Sequence, residues 1–377
     1  MVRDKAIDSI KGIAIILVVI GHAYAPFLNF ISLFHMAVFF IVSGYCWNSN
    51  KVQNFKDLKE YFKRKIKTLY IPFVLFNGIC VILNNFFIKI NFYTSNTDLL
   101  LWKNDPTIVS KFLETKTTLG IIETIKALIK VLTFSGETQF GGATWFFRTL
   151  FIVTIFHAIF EYILKKNKKV RYVLFVIINA ICIIFTQIIS QYNIKMHFGL
   201  QNVFSAYIMY SIGIILKNRN ILENNKLNNK MILSFMFVTS FSILSYISIN
   251  NKISFVNNEI VNVLFFILVS ILGFIMLYSF VKIFKFFEKI LIYLGKRTVP
   301  IILFHFLSFK IVTLIYLLCN SKPMYLIAAF PCLVDGWLWI LYTIIGITVP
   351  ILIYEIYNRM KKMEIKLWKT IKQWKQE

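Results

Sequence analysis

A lysine and a histidine in the first apolar segment have the types and the spacing of a reactive pair. Lys11 and His22 are eleven residues apart, which is about three helical turns, so a helix places them on one face about 16 Å apart. Imidazole transfers protons near neutral pH and often serves as a general base. Asp8 precedes Lys11 by three residues and can pair with it. The pattern predicts a base at depth and a cation near the start of the helix.

A second histidine, His35, begins the next apolar segment after a short connection. A tight hairpin would bring it near His22 at the outer side of a helical bundle, where two imidazoles would form an acid–base site. The alternative is structural, because a single histidine within a membrane often forms hydrogen bonds between helices. We predict that His22 and His35 are catalytic.

Other polar residues flank the apolar segments and have two interpretations each. Basic residues near one predicted face are Lys11, Arg64, Lys67 and Arg297, and they would bind the phosphates of an anionic donor. Ordinary anchoring at the membrane surface explains the same charges. Trp145, Arg148 and His305 are the residues that we predict to bind a substrate other than this donor. Arg148 could instead extend its side chain to the membrane interface.

The composition indicates an integral membrane protein. Hydrophobic residues make up 58% of the 377 residues and charged residues 16%, with a mean hydropathy of +0.69, whereas soluble domains carry about a quarter charged residues. The net charge of +25 is dispersed over short loops, which argues against a nucleic-acid partner. The five cysteines form no CxxC pair, and no metal-ligand cluster is present, so we expect no metal.

About ten apolar segments are long enough to cross a bilayer as helices. This pattern predicts an all-α polytopic protein. If the N-terminus is cytoplasmic, 31 of the 42 Lys and Arg residues fall in cytoplasmic segments. The positive-inside rule therefore places both termini in the cytoplasm. The predicted spans are 10–28, 31–47, 69–90, 144–163, 171–190, 198–216, 231–249, 260–281, 299–318 and 335–357.

The spans form one predicted domain, residues 1–357, with a long external loop at 91–143. Within that loop, Gly120 to Thr133 has helical periodicity, which indicates either an interfacial or lid-like helix or a simple spacer. Residues 358–377 form a basic tail. Met360, Met363, Leu367 and Ile371 share one helical face there, which predicts an amphipathic helix on the inner leaflet.

Four stretches in this order resemble the membrane acyltransferase-3 family, and in particular its fucose 4-O-acetylase-like branch. They extend over nearly the whole chain. The stretches are IDSIKGIAIILVVIGH (7–22), FHMAVFFIVSGY (34–45), the basic run into LYIPF (69–73) together with TWFFRTLF (144–151), and LGKRTVPIILFH (294–305).

The resemblance implies transfer of an acyl group, usually acetyl, from cytoplasmic acyl-CoA to a hydroxyl of an extracytoplasmic glycan or lipid-linked sugar. The family's first-span histidine corresponds to His22, and its usual arginine corresponds to Lys11. A lysine binds phosphate as a point charge and lacks the bidentate geometry of arginine. The family's RxxR-type motif is represented by Arg64 to Lys67, again with a lysine at its second position.

Two mechanisms and one other class of function remain. His22 would act as general base in direct transfer, while a covalent acyl-enzyme on His22 or Ser43 is the other route. A transporter or flippase for a polysaccharide intermediate also explains many spans, but we find no internal repeat of the kind that transporters show. The abundance of Lys, Asn, Ile and Phe is typical of an AT-rich bacterial genome. We therefore expect a multi-pass protein of the bacterial plasma membrane.

Overall fold

The computed structural model describes residues 4–93, 118–223, 229–333 and 336–374, with side chains as far as Glu364. These residues are mainly helical, and the β pairing among them is an isolated bridge between Ser254 and Glu259. The helices are α1 (Lys5–His22), α2 (Leu28–Ser32), α3 (His35–Tyr45), α4 (Phe55–Lys65), α5 (Ile71–Ile82), α6 (Asn84–Lys89), α7 (Ile121–Leu132), α8 (Trp145–Ile163), α9 (Lys168–Gln191), α10 (Gln201–Asn218), α11 (Lys230–Asn250), α12 (Val263–Ile283), α13 (Glu288–Gly295), α14 (Thr298–Cys319) and α15 (Leu338–Trp374).

Nine helical stretches in the described residues are long and apolar enough to cross a membrane. Each overlaps one of the predicted spans other than the first. The first predicted span corresponds to α1, which begins earlier, at Lys5, and carries three charged residues in its 18, Lys5, Asp8 and Lys11. The prediction of an all-α polytopic membrane protein is confirmed.

The third span begins well before its predicted start at residue 69. α4 and α5 are joined by one π turn, Ile66–Tyr70, and form a continuous stretch from Phe55 to Ile82. Pro72 lies in the first turn of α5 and has no N–H to donate to the carbonyl four residues earlier. The helix therefore has one wider π turn at this point and continues beyond it as an α-helix.

α1 lies inside the bundle, in contact with α3, α12, α13, α14 and α15. Its crossing with α13 depends on two glycines. A Cβ on Gly12 would lie 2.1 Å from the carbonyl oxygen of Leu291, and one on Gly295 would lie 2.0 Å from that of Asp8. Because neither position has room for a side chain, the backbones of α1 and α13 touch, and this contact fixes the helix that carries Lys11 and His22.

The predicted helix in the external loop is present as α7, and it packs lengthwise against α5. Asn85 is bonded to the backbone of Leu119 at one end, with both distances 2.8 Å, and Tyr70 donates to the Leu132 carbonyl at 2.6 Å at the other. α7 therefore runs antiparallel to α5. The rest of the loop prediction, residues 94–117, lies outside the described residues.

The last helix, α15, continues without a break through the predicted boundary at residue 357 and reaches Trp374. Met360 and Met363 are exposed on it. Leu367 and Ile371 lie outside the described side chains. Docking of residues 358–377 on the inner leaflet remains a prediction.

Candidate active site

His22, the last residue of α1, lies beside His305 of α14. The two imidazole rings are 5.2 Å apart between centroids and tilted by 30°. Phe306 lies edge-on to His22 at 4.7 Å, and its ring is also 4.1 Å from that of His305. The two histidines are therefore held together by an aromatic side chain that touches both of them.

The tautomer of neutral His305 follows from its hydrogen bonds. Nδ1 lies 2.9 Å from the carbonyl oxygen of Ile301 and 3.1 Å from that of Ile302. Carbonyl oxygens only accept hydrogen bonds, so Nδ1 carries the hydrogen and Nε2 keeps a lone pair. His305 is fully buried, and its Nε2 has no hydrogen-bond partner among the described residues. This atom is an enclosed proton acceptor beside His22.

His35 begins α3, and its Nδ1 donates to the Ile31 carbonyl at 2.8 Å. The connection between α1 and α3 contains the short helix α2. A histidine that the sequence did not pair with His22, His305 of α14, lies beside it. A catalytic role of His35 remains a prediction.

At the opposite end of α1, Lys11 belongs to a group of cations around Cys46. Its Nζ is 3.6 Å from Asp8 and 3.7 Å from the Cys46 sulfur, and Lys51 donates to the Cys46 carbonyl at 3.2 Å. Burial and then the charge of Arg64 lower the pKa of Lys51. Positive charges therefore lie close together here, which favours binding of an anion.

The remaining residues predicted to bind an anionic donor differ in their surroundings. Arg64 and Lys67 are exposed, and Arg64 lies 5.4 Å from the centroid of the Tyr61 ring. Lys65 lies at the same distance from that ring. Lys51 and Lys65 were not among the residues predicted to bind the donor, although both lie in the basic stretch between α3 and α5.

Arg297 has partners of its own within the bundle. Its Nε donates to Glu355 of α15 at 2.7 Å, and its guanidinium lies 3.6 Å from the centroid of the Tyr293 ring. The charge of Arg297 is therefore balanced by Glu355. Binding of a donor by Arg297 remains a prediction, and it would require this ion pair to be shared.

Two of the residues predicted to bind the second substrate lie in packed surroundings. Arg148 is 3.0 Å from Glu137 and donates to the Phe134 carbonyl at 3.1 Å. Trp145 is 5% exposed, and its ring stacks on Phe255 at 5.8 Å. Arg148 thus attaches the segment before α8 to α8 itself, and the substrate-binding role of both residues stays a prediction.

Sequence reasoning also missed Lys310, which lies five residues after His305 on α14. Its Nζ donates to the carbonyls of Ile327 at 2.7 Å and Ala329 at 2.9 Å, and the side chain is buried. Ionisable residues at such positions are rare and functional by default. The signal was a single lysine within an otherwise apolar helix.

Comparison with known families adds a decisive observation. The family model described as an acyltransferase domain, acyltransferase-3, matches residues 4–355. The chain belongs to this family. The match includes both His22 and His305, and it supports a membrane acyltransferase in general. No curated protein and no solved structure matches the chain.

Proposed function

We propose that the protein is a membrane O-acyltransferase of the fucose 4-O-acetylase-like branch. It transfers an acyl group, with acetyl as the expected one, from cytoplasmic acyl-CoA to a hydroxyl of an extracytoplasmic or lipid-linked glycan. It does so in the bacterial plasma membrane. The observation that carries the proposal is the His22–His305 pair, with its enclosed Nε2 acceptor, in a chain that belongs to an acyltransferase family.

In this mechanism His22 is the general base. It takes the proton of the acceptor hydroxyl while the hydroxyl oxygen attacks the thioester carbonyl. The C–S bond then breaks, and the CoA thiolate leaves and is protonated by the imidazolium of His22. Neutral His305 accepts a hydrogen bond through Nε2 and stabilises that imidazolium while it exists. Direct transfer of this kind needs no acyl-enzyme.

The donor would enter from the end of α1 that carries Lys11. Lys11, Lys51 and Arg64 would bind the CoA phosphates, as the mutual approach of these cations supports. The pantetheine arm would extend along α1 toward His22, about 16 Å away. Both ends of the donor would then be held by residues of one rigid helix.

The test is to measure base-released acetate from the surface glycans of a deletion strain. The strain is complemented with wild type, with His22→Ala, or with His197→Ala as a control at an exposed histidine. We expect wild type and His197→Ala to restore acetate, and His22→Ala to lower it about 10²-fold or more at equal membrane expression. Acetate that does not depend on the protein, together with reduced glycan export, would favour a transporter and overturn the proposal.

A further inference from the structure

A short irregular segment before α8, residues 138–144, is attached to α5 by a single asparagine. The side chain of Asn77 accepts hydrogen bonds from the backbone N–H and the hydroxyl of Thr138, at 2.8 and 2.9 Å. Its Nδ2 donates to the Thr144 hydroxyl at 3.0 Å and to the Phe73 carbonyl at 3.1 Å. Both ends of the segment are therefore fixed by one fully buried side chain.

The same segment lies against the part of α14 that carries His305. Phe76 precedes Asn77 on α5, and its ring contacts that of Phe304 at 5.2 Å. On the other side, Lys310 Nζ lies 5.9 Å from the ring centroid of Phe140. The turn Gly142–Thr144 also packs on α14. The segment 138–144 thus contacts α14 directly, and its anchoring helix α5 contacts Phe304, the residue before His305.

Gln139 lies in the middle of residues 138–140, and its hydrogen bonding differs from that of its neighbours. Its side chain is fully buried, yet neither its Oε1 nor its Nε2 has a hydrogen-bond partner among the described residues. The adjacent Thr138 and Thr144 have partners for their hydroxyls. Burying an amide with both ends unpaired is unfavourable, so a fold that keeps one there has a use for it.

We propose that the amide of Gln139 binds a hydroxyl of the acceptor sugar and positions it at the His22–His305 pair. This inference rests on the proposed function. A sugar hydroxyl both donates and accepts hydrogen bonds, and a primary amide offers one group of each kind. Neighbouring hydroxyls of a sugar can therefore pair with both atoms of the amide at once.

The acceptor fits this position better than the donor does. Gln139 follows α7 in the loop that the charge distribution places outside, and the residue after it, Phe140, lies beside Lys310 of α14. The cations that suit CoA surround Cys46 at the other end of α1. The competing occupant is the pantetheine arm, whose amides are also complementary to a glutamine, and the experiment below separates the two.

The experiment compares Gln139→Leu with Gln187→Leu. Gln187 lies on the membrane helix α9, and both ends of its amide are bonded, to the Val261 carbonyl and the Val263 N–H, each at 3.1 Å. For each variant we would measure three quantities. These are acetate on surface glycans at equal expression, the melting temperature of the detergent-solubilised protein, and the rise in that temperature with coenzyme A.

For Gln139→Leu we expect acetate transfer to fall about tenfold or more, with an unchanged or higher melting temperature and an unchanged response to coenzyme A. For Gln187→Leu we expect a lower melting temperature and normal transfer per folded molecule. A purely structural glutamine would not lose activity while keeping its stability.

Three results would overturn the inference. The first is wild-type transfer by Gln139→Leu. The second is a loss of transfer that only follows a loss of stability, and the third is a weakened response to coenzyme A, which would assign the amide to the donor. A wild-type protein that restores no acetate would overturn the proposed function, and this inference with it. An active wild type beside a fully active Gln139→Leu variant would overturn the inference alone.

Discussion

His305 shows how a helix can fix the tautomer of a histidine without a carboxylate partner. The ring hydrogen on Nδ1 is bonded to the carbonyls of Ile301 and Ile302, one turn earlier in the same helix. Those carbonyls fix the orientation of the ring and the tautomer together. The lone pair on Nε2 is therefore available wherever α14 places it, and α14 places it beside His22.

Replacing His305 by asparagine distinguishes the role of Nδ1 from the role of Nε2. The amide nitrogen of asparagine can still donate to the Ile301 carbonyl, but it has no equivalent of Nε2. We expect the His305→Asn variant to fold with a similar melting temperature and to lose acetate transfer by about 10²-fold. His197→Asn, at an exposed loop position, should retain full activity. Equal activity of the two variants would exclude a role for His305 in the reaction.

Lys310 is a second buried ionisable residue of α14, and it too is bonded to backbone carbonyls. A buried ammonium normally needs a counter-ion, but this one is bonded to two backbone carbonyls. Hydrogen bonds of this kind contribute on the order of 1 kcal/mol each. They attach residues 327–329 to α14 close to the histidine pair. Lys310 therefore stabilises the irregular chain that lies beside the site.

At the scale of helices, the crossing of α1 and α13 is the contact with the least tolerance. Gly12→Ala would place a methyl group 2.1 Å from the Leu291 carbonyl oxygen, so the two helices must separate. Overpacking typically costs about 1–3 kcal/mol, and backbone has little freedom to move. We expect a clear fall in the melting temperature of the solubilised protein.

Gly21→Ala is the matched control, since it lies on the same helix with nothing within 4 Å of the new methyl group. There alanine should stabilise the helix by about 0.5–1 kcal/mol. If Gly12→Ala and Gly21→Ala melted at the same temperature, the close crossing of α1 and α13 would be wrong.

At the scale of the whole molecule, the orientation of the bundle can be tested with two native cysteines. Cys46 follows α3 and Cys319 ends α14, and both thiols are free and exposed. The charge distribution places Cys46 inside and Cys319 outside. We expect a membrane-impermeant maleimide to label Cys319 in intact cells, and Cys46 only after the cells are opened. Labelling in the reverse order would invert the orientation, and the proposed entry of the donor with it.

Most of the architecture was predictable because the bilayer imposes it. A helix must cross about 30 Å of hydrocarbon, so the apolar segments mark the spans to within several residues. Lys11 and His22 were predictable as a pair for a similar reason, since both lie on one helix of known pitch. The start of the third span was missed because polar α4 continues into α5 through a π turn.

The neighbours of His22 depend on contacts between distant parts of the chain. His35 was predicted as a partner from its proximity in sequence, and the packing of α14 against α1 adds His305 beside His22. Helical periodicity predicts which residues share a face of one helix, but it does not predict which helix faces pack against each other. For the same reason the sequence did not reveal that Arg148 binds Glu137, or that the buried amide of Gln139 has no hydrogen-bond partner in the part of the chain that the structure describes.

The central position of α1 has a consequence for how the protein is made. α1 is made first, and its buried Asp8 and its glycine crossing at Gly12 lie inside the bundle. Its neighbours α12 to α15 are synthesised last. The contacts that enclose α1 can therefore form only after the final third of the polypeptide has emerged. A chain that ends before α12 would leave the face of α1 around Asp8 and Gly12 uncovered, so the first helix of this protein is the last to be completely packed.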